Sequence, residues 1–177
     1  MLLGTHNPVI NDAARGALMQ LYILRHGIAF DASEWKGTDD FRPLTEEGHE
    51  RTKEVIEALK RQGKLRVGAI WSSPLTRALQ TAQIAADVLD LKVEVVPELT
   101  SGTNLRRIAK EVKTREVPEN LMIVGHEPDC GLIISDLIGD PSGDYALKRA
   151  GIALLEGKLK PGEMKLVWKL QPKEVLQ

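Results

Sequence analysis

Short apolar runs alternate with amphipathic, capped helical stretches along nearly the whole chain, and this alternation restricts the fold more than any other feature. Leu21 to Leu24, VGAIWSS from Val67, KVEVVPEL from Lys92 and LMIVGHE from Leu121 each have the length of a buried strand. The stretches between them read as helices. Thr45 is placed to cap the first, Glu46 and Glu47 suit the positive end of its dipole, and Gly63 stops it. Ser73 and Pro74 predict the N-cap and first residue of the second, whose inner face carries Ala78, Leu79, Ala82, Ala85, Ala86 and Leu89. A third is expected from Thr103 to Val117 and a fourth from Pro128 to Ile138. GIALLEGKL and EMKLVWKL flank the turn signal KPGE and predict an antiparallel hairpin over Gly151–Leu170.

Strands that alternate with helices pair in parallel, and the helices cover both faces of the sheet. The expected fold class is therefore α/β: a three-layer α/β/α sandwich with a mainly parallel central sheet and an antiparallel edge. No repeat or linker divides the chain, and 177 residues fit one domain. Residues 1–18 are expected to be an N-terminal extension, mobile or lying upstream of a start at Met19, and 19–177 a single domain.

Charge narrows the partners. Lys and Arg number 24 and Asp and Glu 25, a net charge of −1, which argues against nucleic acid as the main partner without excluding a local basic pocket. No run approaches the roughly 20 apolar residues of a membrane span, so no membrane partner is expected. Asn7, Asn11, Asp12 and Arg15 interrupt any signal-peptide core. The single Cys130 cannot form an intrachain disulfide, and a cytoplasmic location is the natural expectation.

In an open parallel sheet, ligands bind beyond the carboxyl ends of the strands. Arg25, His26 and Gly27 follow the first strand; Ser72, Ser73 and Pro74, with Arg77 one turn on, follow the second; Gly125, His126 and Glu127 follow the fourth. Two arginines and two histidines thus converge on one sheet edge. A guanidinium fork matches phosphate oxygens, and a neutral imidazole can attack phosphorus. Arginines can also neutralise a transferred phosphoryl group without a metal. Taken singly, each motif has a bland reading: a satisfied strand-end histidine, a capped core helix with Arg77 solvated, a strand-to-helix turn. Neither His26 nor His126 has a His or Cys at ligand spacing, so no metal and no cofactor are expected. His6 and His49 read as surface residues.

In chain order, RHG, SSPLTRALQTA and VGHEPD strongly resemble the motifs of the histidine phosphatase superfamily, which includes the cofactor-dependent phosphoglycerate mutases. The compact length, RPLTEEG soon after RHG, and VGHEPD are most similar to its SixA-type phosphohistidine phosphatase branch, over about Met19 to Trp168. The resemblance implies a phosphoglycerate mutase-like fold. It implies His26 as nucleophile, Arg25 and Arg77 as phosphate-binding residues, and His126 as a donor to the phosphoryl group. Arg42 and Thr45 would lie near the pocket mouth, with a purely structural role equally open. Members with alcohol leaving groups carry an acid shortly after the third strand. Here Thr100 and Ser101 stand at that place, and Glu98 matches the preceding position. An alcohol leaving group needs a proton in flight, whereas a phosphohistidine can leave on an imidazole already protonated.

The expected function is a metal-independent phosphatase acting through a phosphohistidine enzyme intermediate, removing phosphate from phosphohistidine in a protein. The alternatives are a phosphatase or mutase of small phosphorylated metabolites, and a non-catalytic phosphate-binding module on the same scaffold. Glu98 and Arg42 are the candidate substrate contacts beyond the four central residues.

Overall fold

A computed structural model describes residues 18–177, so the expectation of an N-terminal extension falls outside the described residues but for Leu18. The strands are β1 (Met19–Arg25), β2 (Ala69–Ser72), β3 (Val93–Val95), β4 (Asn120–Gly125), β5 (Ile152–Gly157) and β6 (Met164–Leu170). The helices are α1 (Glu46–Arg61), α2 (Thr76–Leu89), α3 (Leu105–Thr114), α4 (Asp129–Ile138) and α5 (Pro172–Val175). The strands form one six-stranded sheet in the order β3-β2-β4-β1-β5-β6. The first four of that order are mutually parallel, while β5 runs antiparallel to β1 and to β6. The hairpin therefore forms the antiparallel edge.

Period-two alternation divides the core. On β1, Leu21 and Ile23 pack with α3 and α4 through Ile108, Val112, Ile133 and Ile134. Tyr22 and Leu24 face the other way, toward Val55, Ile56 and Leu59 of α1 and the alanines of α2. Because both faces are covered, the central strands are apolar throughout rather than alternating with polar residues. The result is a three-layer α/β/α sandwich, the expected fold class. Burial of both faces holds the central strands rigid, and with them whatever their carboxyl ends carry.

Three element boundaries differ from expectation. Thr45 does cap α1, accepting from the Gly48 N–H at 3.0 Å. Ser73, however, does not cap α2, which begins at Thr76 with Leu75 in the cap position. The Ser73 hydroxyl is bound to His126 and only grazes the Leu75 N–H at 3.3 Å. The helix expected from Thr103 to Val117 spans only Leu105–Thr114, with Asn104 as its cap accepting from the Arg107 N–H at 3.1 Å. The third apolar run yields only three strand residues before Pro97 starts a 3-10 turn over Pro97–Leu99.

Among the described residues no helix is long and apolar enough to cross a membrane. No group of three or more His, Cys, Asp or Glu among them is placed to hold a metal ion.

Candidate active site

The register of the parallel pair β1 and β4 builds the centre of the site. Arg25 is the partner of Gly125, so the next residue on each strand is a histidine. The His26 N–H donates to the Gly125 carbonyl at 3.0 Å and continues the ladder past the strand end. The two imidazoles lie with ring centroids 5.3 Å apart, tilted by 54°. Both are buried, at 8 % exposure for His26 and 3 % for His126.

The hydrogen bond of His26 decides its tautomer. Nδ1 lies 2.7 Å from the Gly27 carbonyl, which can only accept, so Nδ1 carries the proton and Nε2 keeps its lone pair. Burial is the main force holding the His26 pKa down to about 3. The Gly27 carbonyl opposes that shift, and His126, Arg77 and Arg25 add to it. His126 is lowered to about 4, again mainly by burial and then by Arg77. Its Nε2 lies 2.7 Å from the Ser73 hydroxyl, and its Nδ1 is buried without a partner. The Ser73 hydroxyl can donate to Nε2 or accept from it; when it donates, Nδ1 carries the proton and is a neutral donor.

Glycine at 27 serves close approach rather than a left-handed turn. A Cβ there would stand 2.3 Å from Thr52 Oγ1 and 3.2 Å from the Gly48 carbonyl, both on α1. Gly48 is equally constrained, since a Cβ would meet the Ile28 carbonyl at 2.0 Å. Two glycines thus let α1 press against the segment behind the nucleophile candidate. The Gly27 N–H donates to Thr81 Oγ1 at 3.0 Å, and the Thr81 hydroxyl donates to the Arg77 carbonyl at 2.8 Å. One buried threonine therefore ties the RHG segment to the helix that carries Arg77.

The arginines are fixed from outside the pocket. Arg25 Nη1 donates to the Leu147 carbonyl at 2.7 Å. The Leu147 N–H is in turn held by Glu127 Oε1 at 2.8 Å, so the residue after His126 sets the position of Arg25. Arg77 donates through Nη1 to the Asp39 carbonyl at 2.9 Å and through Nη2 to Asp39 Oδ2 at 3.0 Å. Arg42 holds the other Asp39 oxygen at 2.8 Å and the Phe30 carbonyl at 2.7 Å. Burial lowers the pKa of both Arg25 and Arg77, so each cation gains from an added anion. Both also keep a buried, unpartnered Nε–H. With His126 Nδ1 in the tautomer that Ser73 donates to, three buried donors without a partner face one strand edge, a set suited to a tetrahedral oxyanion.

Arg25, His26, Arg77 and His126 are thus brought together. Arg42 reaches the site through Asp39, and Thr45 is a helix cap. Glu98 sits on the 3-10 turn after β3, half-buried, with Oε2 unpartnered. Asp39, Thr81, Glu127 and the Leu147 carbonyl carry no local sequence signal for this role. Their partners lie far away in the chain. Cys130 is buried against this edge, and burial pushes its thiol well above the usual range.

The family model described as "Histidine phosphatase superfamily (branch 1)" matches residues 21–101, which hold RHG and SSPLTR. An uncharacterised protein of Picosynechococcus sp. is 38% identical over 138 residues, 76% of this chain and 82% of its own. The chain belongs to the histidine phosphatase superfamily. Among solved structures, the protein histidine phosphatase SixA complexed with tungstate is 28% identical, with a TM-score of 0.72 over 88% of this chain and 98% of its own. The phosphoglycerate mutase of Bacillus anthracis is 15% identical, with a TM-score of 0.68 over 92% and 97%, and shares the fold. As a phosphatase of this superfamily, the chain carries its two motif histidines on adjacent strands of a phosphoglycerate mutase-like sheet.

Proposed function

We propose that the chain is a metal-independent phosphatase that works through a phosphohistidine on His26 and takes phosphohistidine in a protein as its substrate. The observation that carries this is the His26 tautomer: Nδ1–H is committed to Gly27, so Nε2 presents a lone pair amid unsatisfied cationic donors. Nε2 attacks phosphorus, an N–P bond forms, and the P–N bond of the substrate breaks. The departing imidazole keeps the proton with which it arrived. The phosphorylated His26 ring is cationic, and the Gly27 carbonyl stabilises it through Nδ1–H. Arg25, Arg77 and the Nδ1–H of His126 take the phosphoryl oxygens. Water then attacks phosphorus, inorganic phosphate leaves, and His26 regains its lone pair.

Three observations support a protein substrate. SixA, a protein histidine phosphatase, shares the fold, and tungstate in it is a tetrahedral oxyanion like phosphate. Thr100 and Ser101 stand where an acid for an alcohol leaving group is expected. The loop that places Asp39 on Arg77 also displays Phe41 at 68 % exposure and Phe30 at 43 %, an open aromatic rim rather than a lid. A small-metabolite substrate is the second reading, favoured by the unpartnered Oε2 of Glu98 after β3.

Rapid-quench labelling tests the nucleophile. Wild type should trap phosphate on His26, and His26→Ala and His26→Asn should show neither label nor turnover. Label surviving in either variant overturns the assignment. Parallel turnover of a phosphohistidine protein and a panel of sugar and glycerate phosphates separates the two substrate readings.

A further inference from the structure

A cavity of about 460 Å³ adjoins the site and is lined by Arg25, Arg51, Lys148, Arg149 and Lys173, together with Ile28 and Pro172. No carboxylate lines it, although the whole chain has a net charge of −1. Arg51 comes from α1, Lys148 and Arg149 from the segment before β5, and Lys173 from α5. The side chains of these four make no ion pair or hydrogen bond among the described residues. Arg149 is close enough to disfavour the charge on Arg25 and to stabilise that of Asp31, yet it forms no ion pair with Asp31. Glu127, whose carboxylate acts on Arg25, is spent on the Leu147 and Gly131 N–H groups. Like charges gathered from three elements cost stability unless an anion meets them.

We infer that this basic groove binds acidic side chains of the phosphorylated protein, beside its phosphohistidine, while Arg25 holds the phosphoryl group at the inner end. The inference rests on the proposed protein substrate and extends it by naming the chemistry of the flanking sequence. Lys148, Arg149 and Lys173 are exposed and Arg51 is half-buried. Exposed, unpinned cations of this kind steer and orient a protein surface; a second phosphate of a small metabolite calls for buried, converging donors such as those of the phosphoryl site. The exposed aromatics Phe30 and Phe41 give a protein further surface to contact.

The test uses the full chain and the triple variant Arg51→Gln/Arg149→Gln/Lys173→Gln, none of whose changes touches the proposed phosphoryl machinery. Substrates are free phosphohistidine and two phosphohistidine peptides, one flanked by Asp and Glu and one by Asn and Gln. For the acidic peptide, kcat/KM should fall about tenfold in the variant, the worth of three exposed ion pairs. Added salt should lower it in wild type. Free phosphohistidine and the neutral peptide should change less than about twofold on the same scale. An unchanged acidic peptide, or an equal loss on all three substrates, overturns the inference. A bisphosphorylated metabolite that loses turnover in the variant while the acidic peptide does not overturns it in favour of a small polyanion. Fluorescence anisotropy of the unphosphorylated acidic peptide reads the groove without turnover. Binding that the triple variant weakens upholds the groove even if no phosphohistidine is hydrolysed, which would count against the proposed function alone. No binding to wild type overturns the groove alone if turnover of phosphohistidine persists.

Discussion

His26 and His126 stand side by side because Arg25 and Gly125 are register partners on neighbouring parallel strands. Adjacent strands lie about 4.8 Å apart, and the ring centroids are 5.3 Å apart. Each ring would be penalised by a charge on the other, and the half-buried Arg25 and buried Arg77 reinforce that penalty.

Both histidines should therefore stay neutral well below pH 6. Nitrogen NMR of the imidazoles should show His26 protonated at Nδ1 and bare at Nε2 at pH 7 and still so at pH 5. Stability follows by linkage. The unfolded chain takes up protons on these histidines near pH 6.5, while the folded pKa values lie at about 3 and about 4. Between those limits the unfolded state binds more protons, so stability falls as pH falls, by about 1.4 kcal/mol per pH unit for each histidine. Above about pH 7 the pair adds no pH dependence. Urea denaturation at pH 7, 6 and 5, compared between wild type and His126→Asn, measures the slope. A His26 titration near 6.5 would contradict the role given to burial.

Asp39 should act as a positioning residue for Arg77. Its carboxylate and carbonyl together take one N–H from each terminal nitrogen of Arg77 and leave the Nε–H unused. Asp39→Ala should lower kcat/KM by about tenfold, chiefly through KM, the worth of one charge-assisted hydrogen bond. Asp39→Asn should retain more activity than Asp39→Ala because its amide oxygen still accepts. Equal losses in steady-state kinetics would assign the effect to loop disruption instead.

Gly27→Ala should cost about 1–3 kcal/mol through overpacking against α1. The closest atom, Thr52 Oγ1 at 2.3 Å, is itself buried and unpartnered. Thr52→Ala should therefore relieve part of the cost, and a thermal double-mutant cycle should give a favourable coupling. Additive losses would show that the Gly48 carbonyl, not Thr52, is the obstacle.

Replacing Thr81 should loosen the link between RHG and α2. Thr81→Val keeps the shape but leaves the Gly27 N–H buried and unpaired, a cost of about 1–3 kcal/mol. For a chain of this size that amounts to a drop in Tm of about 2–4 °C per kcal/mol. Thr81→Ser should recover most of it.

Glu98→Gln should reduce phosphohistidine turnover by less than about tenfold, because the leaving imidazole can arrive protonated and needs little general acid catalysis. A collapse comparable to that of His26→Ala would make Glu98 the general acid and favour the small-metabolite reading.

The sequence by itself determined the layered fold, the antiparallel hairpin at its edge and the strand ends that carry Arg25, His26, Gly125 and His126. These follow from local periodicity, which sets strand and helix and so fixes which residues terminate each strand. It failed where a residue had two competing partners. Ser73 has the composition of a helix cap, yet its hydroxyl is taken by His126, 53 positions away. Only the tertiary structure decided what surrounds the histidines. Asp39 meets Arg77 across 38 positions, Thr81 meets Gly27 across 54, and Leu147 meets Arg25 across 122. Two of those contacts use a main-chain carbonyl, of Asp39 and of Leu147, to which any residue type contributes equally, and sequence pattern carries no trace of them. The basic groove has the same origin: Arg51, Arg149 and Lys173 are ordinary surface cations in sequence, and only the packing of three separate elements places them around one cavity.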